Sequence, residues 1–328
     1  MRVLLRPASW LYGAAVDMRW WLYREGLLKQ KRLKGAVISV GNLTVGGTGK
    51  TPMVIWLAEK LMQQGQRVAI LSRGYRGTDG SSDEVELMRS RLQNRAMFGV
   101  GKDRFAQGHH AESRQAIDVF LLDDGFQHLQ LARDVDIVLI DASYPMEKQA
   151  LLPAGPMRER MSAMSRADVV VFTRSEMNGG AREAIQRLGD LPVFAASTKL
   201  VGFRLLGGDE PVGTRDEIGA GPFFAFCGIG NPGAFLRDLQ RWGIPQAGHI
   251  FFADHHLYLE SDIRAIEQAA AQCGAKVLLT TEKDFWNLAA VKPPAMPVYI
   301  AMIDLEIARE EELLAVVQQG IQARGAAA

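Results

Sequence analysis

The chain has 328 residues, a formal net charge of +1 and 48% hydrophobic residues. A nearly balanced charge gives no general attraction to a phosphate backbone, so we expect no nucleic-acid partner. Cys227 and Cys273 are too few for a disulfide framework, and a reducing compartment is the default expectation. The length is sufficient for two domains of ordinary size.

The first 34 residues differ in composition from the rest. They carry eight basic residues against two acids, and three of the six tryptophans. One face of a helical wheel is apolar, with tryptophans at its edges: Leu11, Ala14, Ala15, Met18 and Leu22, flanked by Trp10 and Trp21. We predict that residues 1–34 form an amphipathic membrane-interface helix, because interfacial tryptophans and basic residues accompany such helices. The alternative is a helix packed on the protein's own core. The longest uncharged run, Pro7–Val16, is too short to span a bilayer.

After Gly35, short apolar runs rich in β-branched residues alternate with helical patterns. Ala36–Val40, Val119–Leu122 and Val169–Phe172 fit strands buried on both faces, and Pro52–Gln64 fits a helix. This alternation predicts an α/β domain with a parallel sheet over residues 35–200.

A second, smaller α/β domain is predicted over residues 223–328, after a linker or hairpin at 201–222 that is rich in glycine and charge. Polar clusters follow three of its predicted strands, at Gly228–Pro232, Ala253–His256 and Thr280–Asp284. Clusters at successive strand ends predict a second active edge that completes the active site, although each alone would be an ordinary loop.

The strongest motif runs from Gly41 to Thr51, between a predicted strand and a predicted helix. Its glycines allow backbone N–H groups to surround phosphate oxygens, and the helix amino terminus adds partial positive charge. Lys50 would reach the β- and γ-phosphates of ATP, and the Thr51 hydroxyl would ligate Mg²⁺. Residues 35–200 are therefore predicted to be P-loop NTPase-like, although Thr44 stands where the strict pattern has glycine. The predicted nucleotide-binding residues are Thr44, Gly46, Gly47, Thr48, Gly49, Lys50 and Thr51.

Paired acids, Asp123 and Asp124, end another predicted strand, and we predict that they hold Mg²⁺. The alternative is a solvated turn, and the sequence leaves open which acid contacts the metal. Ser72–Gly77 is a basic turn after a further predicted strand, Val68–Leu71. Asp83 is a candidate base, and Arg104 a candidate phosphate-binding residue.

Taken together, the motifs resemble the tetraacyldisaccharide 4'-kinase family, from the tryptophan-rich amino terminus to about residue 290. The stretches that carry the resemblance are Val40–Pro52, Ser72–Gly77, Asp123–His128, Leu152–Arg160, Gly228–Pro232, Asp254–His255 and Thr281–Asp284. The family pattern also has threonine at position 44, which accounts for the departure from the strict P-loop.

The resemblance implies transfer of the ATP γ-phosphate to the 4'-hydroxyl of a tetraacylated glucosamine disaccharide 1-phosphate, giving lipid IVA. It implies work at the cytoplasmic face of the inner membrane, with that membrane surface and the acylated disaccharide as partners. It also implies a catalytic dyad of Asp83 and His255, on different domains, and further active-site roles for Arg104 and Glu159. The segment around Asp83 reads Ser82-Asp83-Glu84-Val85 where the family has Gly-Asp-Glu-Pro. Arg76 likewise replaces a family glycine.

A different function fits the same P-loop: a membrane-attached P-loop ATPase that works as a switch or partitioning protein. Such proteins often carry a lysine before the paired glycines, where this chain has Val45. Turnover that depends on an acyl-sugar acceptor separates the two hypotheses. Oligomeric state and accepted acyl lengths do not follow from the sequence.

Overall fold

The computed structural model of the chain describes residues 4–74, 82–143, 149–175, 189–208, 211–212, 218, 221–288 and 291–326. The predicted motif residues Tyr75, Arg76 and Gly77, and parts of the predicted 201–222 segment, lie outside these ranges. The described helices and strands are α1 (Arg6–Arg24), β1 (Ala36–Asn42), α2 (Lys50–Gln63), β2 (Val68–Ser72), α3 (Asp83–Arg91), β3 (Met97–Val100), α4 (Arg104–Arg114), β4 (Val119–Asp123), β5 (Val135–Asp141), a 3-10 helix (Met161–Arg166), β6 (Val169–Thr173), β7 (Val193–Leu205), β8 (Pro211–Val212), β9 (Phe223–Cys227), α5 (Pro232–Arg241), β10 (Gln246–Phe251), α6 (Glu260–Gln272), β11 (Val277–Thr281), α7 (Glu282–Leu288), β12 (Val298–Ile307) and α8 (Glu310–Ala326).

The chain forms two compact units. Unit 1 contains Met1–Ser81, Met88–Ser197 and Leu305–Ala328, and unit 2 contains Ser82–Leu87 and Thr198–Asp304. The domain division made from the sequence stays a prediction. This division groups residues 1–34 with unit 1 and residues 201–222 with unit 2, and it differs further in two segments. Residues 305–328 group with unit 1, and residues 82–87 group with unit 2.

Unit 1 is built on a parallel sheet in which the strands lie in the order β7-β6-β5-β1-β4-β2-β3. Every residue of β1, β4 and β5 is buried, as expected for parallel strands covered on both faces. After β1 the chain builds one side of the sheet through β4, and then crosses to the other side with β5. Ligands bind at such a switch point in α/β folds, outside the carboxyl ends of the strands.

The carboxyl-terminal helix α8 packs against β1 and β5 in unit 1. A methyl group added at Gly320 would lie 2.2 Å from a Val135 side-chain carbon, so the backbone of α8 approaches the sheet closely. Leu313 and Val317 of α8 are buried. This segment is predicted to belong to the second domain because it follows the last strand of that domain. In the structure its buried apolar residues lie within unit 1.

Unit 2 has the strand order β10-β9-β11-β12-β7, with β8 paired antiparallel to β7. The β10–β9, β9–β11 and β11–β12 pairs are parallel. Two separate clusters form its core, one around Phe223 and Leu239 and the other around Phe224 and Ile266. The adjacent residues Phe223 and Phe224 belong to different clusters because side chains alternate between the faces of a strand.

Helix α1 turns its predicted apolar face outward. Leu11 is 75% exposed, Met18 61% and Trp10 78%. Ser9 and Gly13 on the other side of the helix are buried. Among the described helices, none combines the length and apolar character that crossing a bilayer requires.

Candidate active site

The glycine-rich loop lies between the carboxyl end of β1 and the first turn of α2. Gly46 and Gly49 have φ values of 111° and 86°, which favour glycine because an added Cβ is crowded there. The Asn42 amide donates to Thr48 Oγ1 at 2.8 Å, and the Thr173 hydroxyl donates to the Thr48 carbonyl at 3.0 Å. Side chains from the ends of β1 and β6 therefore fix the loop conformation.

The segment that follows β5 lies beside the loop entry. Thr44 forms an antiparallel bridge with Met157, and Val45 N donates to the Pro156 carbonyl at 2.8 Å. Thr44 thus acts through its backbone as the point where the two loops join.

Asp124 is held by two cations at the end of β4. Arg158 Nη1 donates to both carboxylate oxygens at 2.8 and 2.7 Å, and Lys50 Nζ lies 3.6 Å from Oδ1. Burial raises the pKa of Asp124, but the charges of Lys50 and Arg158 outweigh it, and the net pKa lies below its ordinary value. The carboxylate is therefore ionised at neutral pH and joins the P-loop lysine to the 151–160 segment.

Asp123 lies deeper at the same strand end. It is 4% exposed, and its Oδ2 accepts from the Ser72 hydroxyl at 3.1 Å. Arg104 donates from Nη2 to the Asp123 carbonyl at 3.3 Å and is itself buried. The structure thus brings Lys50, Arg104, Asp123 and Asp124 together at one edge of the unit 1 sheet.

The Glu159 carboxylate accepts hydrogen bonds from two neighbouring side chains. Arg166 donates to both its oxygens at 2.8 and 3.0 Å, and Gln127 Nε2 donates to Oε1 at 3.0 Å. The same Gln127 nitrogen donates to the Asn42 carbonyl at 3.0 Å. This geometry suits a positioning residue that fixes Gln127 beside the P-loop strand, and a catalytic role for Glu159 stays a prediction.

In unit 2, Asp83 and His255 lie within hydrogen-bond distance. His255 Nδ1 is 3.0 Å from Asp83 Oδ1 and 2.9 Å from Oδ2. Asp83 also accepts from the Glu84 backbone N–H at 2.9 Å and from Asn287 Nδ2 at 3.3 Å. Burial raises the pKa of Asp83. The hydrogen bond from His255 and the charge of Lys283 lower it, and together the lowering effects outweigh burial, so the net pKa is below its ordinary value.

The resemblance implies that this pair comes from two different domains, and the two compact units of the structure divide the chain differently. Asp83 lies in the 82–87 segment of unit 2, as does His255 in the 198–304 segment. The pair therefore forms inside one compact unit. In the sequence, Asp83 stands between β2 (Val68–Ser72) and β3 (Met97–Val100), two strands of unit 1, so sequence order alone favours placing it in that unit.

Several residues that complete these sites were not assigned roles from the sequence. Arg158, Gln127, Ser72 and Lys283 stand in motifs after strands, which is the signal that would have identified them. Arg166 stands in no motif, and its pairing with Glu159 follows only from the fold.

A family model described as LpxK, tetraacyldisaccharide-1-P 4'-kinase, matches residues 1–322. The chain belongs to that kinase family. The tetraacyldisaccharide 4'-kinase of Geobacter metallireducens is 39% identical over 322 residues, covering 93% of this chain and 94% of that relative. The Geobacter sulfurreducens kinase is 39% identical, covering 92% and 88%. The crystal structure of LpxK from Aquifex aeolicus in complex with ATP matches with 31% identity and a TM-score of 0.75, covering 98% of this chain and 99% of that one.

The His128 imidazole is buried near Arg104, close to this kinase site. Its Nε2 is buried without a hydrogen-bond partner among the described residues. Burial, followed by the charges of Arg104 and Arg133, lowers the pKa of His128 to about 4. The folded kinase therefore keeps this imidazole neutral.

We predict that His128 makes the folded state less stable as pH falls from about 6.5 toward 4. In that window the unfolded histidine binds a proton and the folded one does not. Urea unfolding of wild type and His128→Gln across this range measures the effect, and the variant should show the shallower loss. If the unfolding free energies of wild type and His128→Gln change with pH in parallel, His128 has the same pKa in the folded and unfolded states.

Proposed function

We propose that the chain transfers the γ-phosphate of ATP to the 4'-hydroxyl of a tetraacyldisaccharide 1-phosphate, forming lipid IVA. The observation that carries this proposal is the P-loop at the carboxyl end of β1, in a chain that matches the kinase family over residues 1–322. The related Aquifex protein was crystallised with ATP. A switch ATPase is less well supported, because the family that the chain belongs to is one of kinases that phosphorylate an acceptor, and a switch has no acceptor.

ATP would bind in unit 1, where the Gly46–Thr51 backbone and Lys50 supply donors and positive charge for phosphate. The oxygen donors Thr51, Asp123 and Asp124 are of the type that Mg²⁺ prefers. We propose that Thr51, Asp123 and Asp124 hold the metal, with Asp124 also paired with Arg158 and Lys50. Mg²⁺ would neutralise charge on the phosphate oxygens.

Asp83 would orient the acceptor hydroxyl and take its proton. The bond between the γ-phosphorus and the bridging oxygen breaks, the bond from the sugar oxygen to phosphorus forms, and ADP leaves. Asp83 is only 9% exposed and is held by three donors, so its orientation is fixed before the reaction. Such positioning is the main contribution a protein makes to phosphoryl transfer.

The acceptor requirement tests this proposal directly. Transfer of labelled phosphate from ATP should occur with a tetraacyldisaccharide 1-phosphate and not with its deacylated form. Lys50→Ala should reduce transfer about a hundredfold or more, since it removes a cation from the phosphate site. Lys276→Ala removes an exposed lysine and should leave transfer unchanged. ATP hydrolysis that is indifferent to acceptor would favour the switch ATPase.

For the Asp83–His255 pair, we predict non-additive losses. Asp83→Asn should lower kcat by about a hundredfold or more, because it removes the proton acceptor while keeping the side-chain shape. His255→Gln should cost less, and the double variant should match Asp83→Asn within a few-fold. ATP affinity should not change. Losses that multiply would mean that the two residues act independently.

We also propose that α1 attaches the kinase to the cytoplasmic face of the inner membrane. Ser9 Oγ donates to the Leu151 carbonyl at 2.9 Å, and the Tyr12 hydroxyl donates to the Arg158 carbonyl at 2.9 Å. These bonds hold the polar side of α1 to unit 1, so its exposed leucine, methionine and tryptophan side chains point away from the contact. An apolar face beside basic residues favours reversible binding to anionic lipid.

Substitutions on the exposed face test this attachment without removing the helix. Leu11→Gln with Met18→Gln should lower affinity for anionic vesicles by up to about a thousandfold, since each fully buried apolar side chain contributes about 2 kcal/mol and the two together about 4 kcal/mol. ATP binding should be unaffected. The control is Val201→Gln, which changes a 48% exposed residue of unit 2. Equal flotation of both variants and wild type would place the membrane contact elsewhere.

A further inference from the structure

Arg174, the first residue after β6, contacts the glycine-rich loop through its side chain. Its Nη1 donates to the Gly47 carbonyl at 3.1 Å and also to the Asp141 carboxylate at the end of β5. This guanidinium nitrogen carries two N–H groups, so it can serve both acceptors at once. The Arg174 side chain is 15% exposed and that of Asp141 8%, so little water competes for either contact.

The Asp141 carboxylate is itself held by the turn that follows β5. The Ser143 backbone N–H and hydroxyl donate to Asp141 Oδ1 at 2.9 and 2.6 Å, while Oδ2 accepts from Arg174. The Ala142 N–H donates to the Thr173 carbonyl at 2.9 Å, which joins this turn to the end of β6. The guanidinium group of Arg174 is therefore anchored on the sheet side, and its second N–H is directed at the loop.

The backbone of Arg174 is in a conformation that is uncommon for a residue with a side chain. Its φ is 54°, in the left-handed region. Successive side chains of a strand point to opposite faces, and the left-handed turn at Arg174 brings its side chain to the same loop that Thr173 contacts. A non-glycine residue held in this region points to a functional constraint.

Together, Thr173 and Arg174 hold two successive carbonyls of the loop. The Thr173 hydroxyl donates to the Thr48 carbonyl at 3.0 Å, and Arg174 donates to the Gly47 carbonyl. In a trans peptide the C=O and the following N–H point in opposite directions. Because both carbonyls are directed toward the end of β6, the N–H groups of Thr48 and Gly49 are directed away from it.

The Thr48 N–H has a local acceptor that a phosphate oxygen can replace. It donates to the Gly46 carbonyl at 3.1 Å, across a turn of only three residues. An anionic oxygen forms a stronger hydrogen bond than a neutral carbonyl does. Neighbouring backbone N–H groups of this kind form an anion-binding concavity, and donors that are already oriented bind with less loss of freedom.

We propose that Arg174 is a positioning residue for nucleotide binding, which works with Thr173 to orient the loop N–H groups toward the phosphates of ATP before ATP arrives. This inference rests on the proposed nucleotide site of unit 1 and requires nothing of the acceptor or of unit 2. The contacts fix loop backbone, so the ligand class whose affinity they set is polyphosphate, independent of adenine and ribose.

Other roles of Arg174 would give different kinetics. A cation that stabilises the transferring phosphoryl group lowers kcat when it is removed, whereas loss of a preoriented binding loop raises KM for ATP. A residue that serves only the fold lowers thermal stability and leaves the phosphate affinity of the folded protein unchanged. Affinity for a phosphate chain without a nucleoside therefore separates the three roles.

The experiment is calorimetric titration of Arg174→Met with ATP and, separately, with tripolyphosphate, each with Mg²⁺. Both affinities should fall about tenfold, since the variant loses a charge-assisted hydrogen bond to the loop. KM for ATP should rise by the same factor, with kcat at saturating ATP within about twofold of wild type. Arg174→Lys keeps the charge and should recover part of the affinity. Arg114→Met removes an exposed arginine of unit 1 and should bind like wild type.

Thr173→Val separates orientation of the loop from charge. It removes the hydroxyl that holds the Thr48 carbonyl, keeps the side-chain shape and leaves the net charge unchanged, and it should weaken tripolyphosphate binding several-fold. The proposal is overturned if folded Arg174→Met binds tripolyphosphate like wild type, if only its ATP affinity falls, or if kcat falls at unchanged affinity. Should Arg174→Met not fold, wild-type affinity in both Thr173→Val and Arg174→Lys overturns it. Wild-type protein that binds neither ligand would instead remove the nucleotide site itself.

Discussion

The complete burial of the central strands of unit 1 determines where this protein can place charge. Every residue of β1, β4 and β5 is buried, and an unpaired charge inside such a layer would cost several kcal/mol. The carboxyl ends of these strands carry the polar side chains Asn42, Asp123 and Asp141, while the buried Asp136 near the start of β5 is paired with Arg133. Because the strands are parallel, all these ends lie at one edge, and the glycine-rich loop and its cations gather there.

The burial of these parallel strands also explains which parts of the fold and of the site could be predicted from the sequence. The P-loop and the Asp123–Asp124 pair follow apolar runs directly, so local sequence was sufficient to place them at strand ends. Strand β3 was missed because Met97–Val100 is short, contains a glycine and is only partly buried. The grouping of Asp83 with unit 2 could not be predicted locally, because its partners His255 and Asn287 lie 172 and 204 positions away.

In unit 2, one buried carboxylate joins two of the polar clusters that follow strands. The Thr280–Asp284 and Gly228–Pro232 motifs are both predicted to lie at a second active edge, and that stays a prediction. Asp284 joins them, since this buried carboxylate accepts from Gly228, Tyr258 and Thr281. Burial raises the pKa of Asp284 even though these donors lower it, so the group must be fully hydrogen-bonded to be tolerated. Within one motif, Asp284 therefore holds the backbone while its neighbour Lys283 faces His255.

The location of Asp83 and His255 in a single compact unit has an entropic consequence. Fixing two side chains relative to each other costs rotational freedom, and here folding of unit 2 has already met that cost before any substrate arrives. In the reaction we propose, binding energy from the acceptor would then serve to align its hydroxyl with the phosphorus atom rather than to bring acid and histidine together. The pair is a preassembled part of unit 2.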